Sequence, residues 1–138
     1  MKIPLLTLSA EAMTPYGTLL EWSPEGEHFQ SLVQVKREVG WQLAINRVIE
    51  KSVDQIARHT NTREAFCPIS GRLALLLATP DTPEQIQAFI LDRPICIHPN
   101  VWHASIALTD EAQVFIAENI EVQSEVKDLM EPLEVEAG

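Results

Sequence analysis

The sequence predicts an all-β fold, a small antiparallel barrel or sandwich. Two observations carry this reading: many short runs of alternating or β-branched apolar residues, and turn residues that separate them at intervals of roughly 8 to 12. A third excludes the main rival. A doubly wound α/β fold needs helices of about ten or more residues between its strands, and only residues 9–13 and 121–130 have helical character here.

The elements follow in order. After Pro4 to Leu8, Ser9 stands as an N-cap before the short apolar face of Ala10 to Met13, which predicts one helical turn that ends before Pro15 and Gly17. Thr18 to Trp22 is strand-like, and SPEGEH (23–28) is a loop by its Ser, Pro and Gly. Leu32 to Val35 and Trp41 to Ile49 alternate, with Lys36 to Gly40 as the expected hairpin connection. Ile56 to Arg58, Ala65 to Cys67, Arg72 to Ala78, Gln87 to Leu91, Ile95 to Ile97, Ala104 to Leu108 and Gln113 to Ala117 supply further short strands. Glu121 to Met130 is acidic and weakly amphipathic, a possible helix, and the last residues, EPLEVEAG, are expected to fray.

Composition bounds the function. A length of 138 residues, of which 46% are hydrophobic, suits one domain spanning 1–138 with one core. A formal charge of -10 and only 6% aromatics argue against nucleic acid, whose phosphates need clustered Lys and Arg. The longest apolar run, Leu73 to Ala78, falls far short of the ~20 residues that cross a bilayer, and the start MKIPLLTLSAEAM has no small-residue cleavage site, so no membrane partner and a cytoplasmic location are expected. Cys67 and Cys96 lack CxxC spacing and read as reduced, buried thiols. No glycine-rich phosphate loop exists, and Ser9, Ser70 and Ser105 lack a GxSxG elbow.

Chemistry concentrates in two groups, His59 with Glu64 and His98 with His103. Glu64 is followed by six residues and Gly71, and HPNVWH occupies 98–103. This resembles the two motifs of the cupins, His-x-His, three or four residues, Glu, six residues, Gly, and then Pro-x-Gly-x-x-His. Ala57 falls on the first His, while His98, Asn100 and His103 fall on the Pro, Gly and His of the second motif. The resemblance implies a single-domain, cupin-like antiparallel jelly-roll barrel with short peripheral helices, whose facing strands bring distant residues into one pocket.

More of the chain is similar to one cupin family, the ureidoglycolate lyases (formerly hydrolases) of allantoin degradation. The matching segments run in order from Leu8-Ser9, Glu11-Ala12 and Tyr16-Gly17 through Ile45-Asn46-Arg47, Arg58-His59, Ala65-Phe66, Pro68 and Gly71 to Asn100-Val101-Trp102-His103. Departures are Glu64 where the family carries Gln, Ala104-Ser105 where His and Pro often follow, Glu118-Asn119 where Asp-Arg tends to end a late strand, and a compressed stretch between Glu21 and Trp41.

The resemblance implies a carbon-nitrogen lyase that splits ureidoglycolate into glyoxylate and urea. His59 and His103 are then candidates for acid/base work, with Glu64 orienting one of them. Arg47, and secondarily Arg58, could pair with the substrate carboxylate, and His98 and Trp102 are pocket candidates. His59, Glu64 and His103 equally suit one divalent metal ion, so the cofactor is either none or one such ion. The other function class is a diverged, non-catalytic cupin that binds a small carboxylate or serves as an assembly protein. The expected partners are a small-molecule carboxylate and, by resemblance, a second copy in a homodimer. His28 reads as solvated, Trp22 and Trp41 as core or interface, and Glu118 to Glu136 as a solvated face or tail.

Overall fold

Two sheets face each other in the computed structural model, which describes residues 1–136. In chain order the elements are β1 (Lys2–Ile3), β2 (Leu5–Leu6), α1 (Ala10–Met13), β3 (Gly17–Leu19), β4 (Trp41–Val48), β5 (Val53–His59) and β6 (Glu64–Ser70), then β7 (Leu73–Ala78), β8 (Gln87–Ile90), β9 (Ile95–Ile97), β10 (Trp102–Ala107), β11 (Ala112–Asn119) and β12 (Ser124–Val135). The larger sheet runs β1-β12-β5-β10-β7-β8-β2 and the smaller β3-β9-β6-β11-β4. This is the cupin-like jelly-roll barrel that the resemblance implied. Two pairings, β1 with β12 and β2 with β8, are parallel, and every other pairing is antiparallel.

Burial follows from the period of two along each strand. Leu73, Leu75 and Leu77 of β7 meet Phe66, Ile95, Val114 and Ile116 of the smaller sheet in the core between the sheets. The other face of β7 is also buried, with Ala74 and Leu76 packed among Ala88, Ile106 and Leu133. Its cover follows from topology. The two edge strands of the larger sheet, β1 and β2, are separated only by Pro4, so the sheet must curl until its edges meet.

Ser9 caps α1 as expected, accepting from the Ala12 N–H at 3.0 Å. It is the only helix among the described residues, so the short peripheral helices reduce to one turn. Four further expectations are corrected. Thr18 to Trp22 contributes strand only as far as Leu19. Leu32 to Val35 forms no strand and Lys36 to Gly40 no hairpin; this stretch finds no sheet neighbour, and Arg37 tethers it to the Asn61 carbonyl at 3.0 Å. Glu121 to Met130 is not helical, because Ser124 onward pairs with β5 as β12. Residues 131–135 are not frayed either, since β1 pairs with Glu134 and Val135; residues 137–138 lie outside the described residues. Trp22 and Trp41 are exposed and form no part of the core.

Two turns hold the motif strands in place. Gly71 has φ +68°, and a Cβ there would stand 2.3 Å from the Glu111 carbonyl oxygen, so only glycine fits between β6 and β7. Asn100, at the position of the second motif's glycine, also has a positive φ of 71°. Its N–H donates to the His59 carbonyl at 2.8 Å, which ties the turn before β10 to the end of β5.

Candidate functional site

Five inward side chains from both sheets gather at one end of the barrel. His59 closes β5 and His103 lies on the adjacent β10, opposite Ala57 in the ladder. The facing sheet supplies a cross-strand row, in which Glu118 of β11 stands between Gln42 of β4 and Glu64 of β6. Nε2 of His59 and Nε2 of His103 each lie 3.2 Å from Oε1 of Glu64, and Oε1 of Glu118 is 3.9 Å from His59 Nε2. The two imidazoles meet edge to face, their centroids 4.9 Å apart.

The contacts have the geometry of convergence. Oε1 of Glu64 is close to both rings yet off the N–H direction of either, and so has no hydrogen-bond partner, although its side chain is only 6% exposed. Oε1 of Glu118 is also buried and unpartnered. Neighbouring nitrogen and oxygen donors held about 2.0 to 2.2 Å from one ion stand roughly 2.8 to 3.6 Å from one another, depending on whether the site is octahedral or tetrahedral. The separations around Glu64 fall in that range, and the donor atoms of His59, Glu64 and His103 lie within 4.8 Å of one another. These residues fit a divalent ion.

Each ring is steered from its other nitrogen. His103 Nδ1 donates to the Val101 carbonyl at 3.2 Å, which leaves Nε2 with a lone pair toward Glu64. His59 Nδ1 bonds Ser124 Oγ at 2.9 Å. Gln42 Nε2 donates to Oε2 of Glu118 at 3.1 Å and so turns Oε1 toward His59. The titrations diverge accordingly. The neighbouring Glu64 carboxylate, with Glu118 behind it, raises the pKa of His59 against the effect of burial. Burial lowers that of His103, and the charge of His59 adds to the effect. Burial and then Glu64 raise that of Glu118.

Glu64 and His103 border a cleft of 390 Å³ whose wall includes Asn46, Gln55, Ser105, Phe66 and Ile116. That size suits a small molecule. A larger groove of 1090 Å³ lies against the segment of residues 30–40; of the two imidazoles and two carboxylates, only Glu118 borders it. Its floor includes Ala65, Cys96 and Ala117, which lie on the outer face of the smaller sheet, away from the imidazoles.

The structure brings His59, Glu64 and His103 together as expected and leaves four other candidates outside the cleft. Arg47 alternates with inward Asn46 and Val48 on β4, so it points outward and pairs with Glu111. Arg58 directly precedes His59 and therefore projects from the opposite face of β5, where it pairs with Glu125 at 2.9 Å. Trp102 directly precedes His103 and lies on that same opposite face, with the Arg58 guanidinium 4.5 Å above its ring. His98 sits beyond β9 and accepts from Arg63 through Nδ1 at 2.9 Å. Glu118 and Gln42 are the additions that the sequence reading missed. Their signal was present: Ala112, Val114 and Ile116 alternate inward, and the next member of that series is Glu118.

Comparison with known proteins agrees with this architecture. Residues 31–136 match the family described as Ureidoglycolate lyase. Proteins named Ureidoglycolate lyase from Escherichia coli O1:K1 and from Shigella boydii serotype 18 are each 27% identical over 124 residues, covering 75% of this chain and 78% of the relative. Among solved structures, a dTDP sugar isomerase from Desulfovibrio desulfuricans superposes with a TM-score of 0.55 at 18% identity over 83% of each chain. A sugar 3,4-ketoisomerase from Thermoanaerobacterium thermosaccharolyticum does so with a TM-score of 0.52 at 11% identity, over 78% of this chain and 81% of that one. These two likenesses concern the fold alone.

Proposed function

The chain belongs to the ureidoglycolate lyase family, and from that premise we propose that it splits ureidoglycolate into glyoxylate and urea, as a step of allantoin degradation. The observation that carries the reading is the convergence of His59, Glu64 and His103 beside a cleft of small-molecule size. In the reaction the C–N bond to the ureido nitrogen breaks and the carbinol oxygen becomes the aldehyde carbonyl. One proton leaves the hydroxyl and one reaches the departing nitrogen, so none is gained or lost.

The same three residues would hold one divalent ion. When bound, such an ion supplies a positive charge for the substrate's oxygens and eases loss of the hydroxyl proton. A cation is needed there for electrostatic reasons. Among the described residues that line the cleft none is Lys or Arg, while Glu50, Asp54 and Glu64 are carboxylates; an anionic substrate entering it meets like charge. Val101 and Ser124 fix the two rings. Asn46, Gln55 and Ser105 offer hydrogen bonds to the ureido group, and Phe66 and Ile116 narrow access for water.

A second reading is carried by the opposite titrations of the two imidazoles. In it no ion takes part, protonated His59 donates to the departing nitrogen, and neutral His103 takes the hydroxyl proton. One experiment separates the two. Urea and glyoxylate release is measured for the protein as isolated, after chelation and after divalent replenishment, together with His103→Ala. Loss on chelation with recovery on replenishment supports the ion, and turnover that survives exhaustive chelation supports the imidazole pair. His103→Ala is expected to abolish turnover in either case; no turnover above the spontaneous rate in any wild-type sample overturns the lyase reading.

The protein acts as a homodimer in this proposal, with the outer face of the smaller sheet as the contact. Across that face the register sets Ile45 beside Phe115 and Cys67, and Leu43 beside Ala117 and Ala65. Trp41, Leu43 and Ile45 are 68%, 56% and 66% exposed on the apolar edge strand β4. A cytoplasmic location is supported by the unpaired Cys67 and Cys96. Among the described residues no helix is long and apolar enough to cross a membrane.

A further inference from the structure

Glu118 and Glu64 are direct cross-strand neighbours on the inner face of the smaller sheet. Two like charges so placed repel, and burial makes the repulsion stronger. Each also holds one carboxylate oxygen with no hydrogen-bond partner, and both of those oxygens lie near the same atom, His59 Nε2, at 3.2 and 3.9 Å. The second oxygen of Glu118 is already engaged by Gln42. An amide that spends its donor on one carboxylate oxygen leaves the other aimed at the imidazoles, which is the way an outer residue orients a metal ligand.

We propose that Glu118, oriented by Gln42, is the fourth donor of a divalent-cation site completed by His59, Glu64 and His103. Two carboxylates neutralise a dication, and two imidazoles whose Nε2 atoms point inward complete a set of nitrogen and oxygen donors suited to manganese, iron, cobalt, nickel or zinc. Glu118 thereby fills the place in the donor set that Ala57 leaves empty, from the opposite sheet. The inference rests on the divalent-ion reading of the site and not on the identity of the substrate.

The test is a titration of the metal-stripped, full-length protein with Co²⁺, followed by calorimetry and by visible absorption, which reports the donor set. Wild type is expected to take up one Co²⁺ per chain. Glu118→Gln should bind about 10-fold more weakly or worse and with a changed spectrum, and Gln42→Leu should weaken binding by about 10- to 100-fold. Glu118→His, which restores a donor, should bind more tightly than Glu118→Gln. Wild-type affinity and spectrum in Glu118→Gln, or no uptake of Co²⁺ by wild type, would overturn the proposal. Circular dichroism checks folding, and if Glu118→Gln does not fold, Gln42→Leu and Glu118→His decide. Turnover of ureidoglycolate is scored on the same samples. Co²⁺ bound while neither it nor any other of these divalent ions restores turnover removes the lyase reading and leaves the site, whereas turnover without Co²⁺ uptake removes the site and leaves the lyase.

Discussion

His98 shows how one contact sets a side chain's protonation. Its Nδ1 accepts from the Arg63 guanidinium at 2.9 Å, so protonating that nitrogen would both break the bond and set two cations against each other. Burial first, and Arg63 second, hold its pKa below the ordinary 6.5. As pH falls through 6.5, the unfolded chain takes up a proton that the folded one refuses, so this group's share of stability is present above 6.5 and is lost until the lower folded pKa is passed. Proton NMR of the ring should therefore give a midpoint below 6.5, and Arg63→Gln should move it upward. A midpoint at or above 6.5 in wild type would refute this account. The same scale explains what could be read of the site in advance. Motif spacing located His59, Glu64 and His103, but the basic and aromatic candidates were chosen by residue type. Strand alternation makes Arg58 and His59 mutually exclusive on one face, as it does Trp102 and His103, so the chain neighbours of an inward residue were the least suitable partners for it.

Among the elements, β12 was the least legible. Its residues are mostly exposed, its composition is acidic, and the pairing with β5 shifts between Asp128 and Leu133, which breaks the period of two that would have marked a strand. The inward signal survives only in isolated residues, Leu129, Leu133 and Val135, which pack on the outer core cluster. Leu32 to Val35 failed in the opposite way, because alternation without a partner strand gives no sheet. The central strands read well since both of their faces are fixed by burial, as in the six consecutive buried residues of β7. Leu133 is fully buried although the strand around it is exposed. Leu133→Ala should therefore cost about 2 to 5 kcal/mol in denaturant unfolding; a change within about 0.5 kcal/mol, the level of an ordinary surface site, would show that β12 does not seal the outer core.

For the whole molecule, the charge of -10 and the exposed apolar side chains of β4 pull in opposite directions. Like-charged copies repel at long range, so the proposed dimer draws its attraction from the apolar rows centred on Leu43 and Ile45, where contact removes hydrocarbon from water. Ile45→Glu should convert a sedimenting dimer to a monomer while leaving the inward site residues of β4, among them Gln42, in place. A wild-type monomer, or a dimer indifferent to that change, would exclude this face as the interface.

The joint at Pro4 has a consequence for how the protein is made. β1 leaves the ribosome well before its neighbour β12, with every other described strand of the barrel synthesised in between. Contacts of such separation form slowly, because a long loop must close before they repay it. The larger sheet therefore cannot be sealed as it emerges, and until β12 arrives the leucines and alanines of the outer core stand open to water and to other chains. Protection of the nascent chain is needed longest at this seam, far from the cluster of imidazoles and carboxylates at the other end of β12.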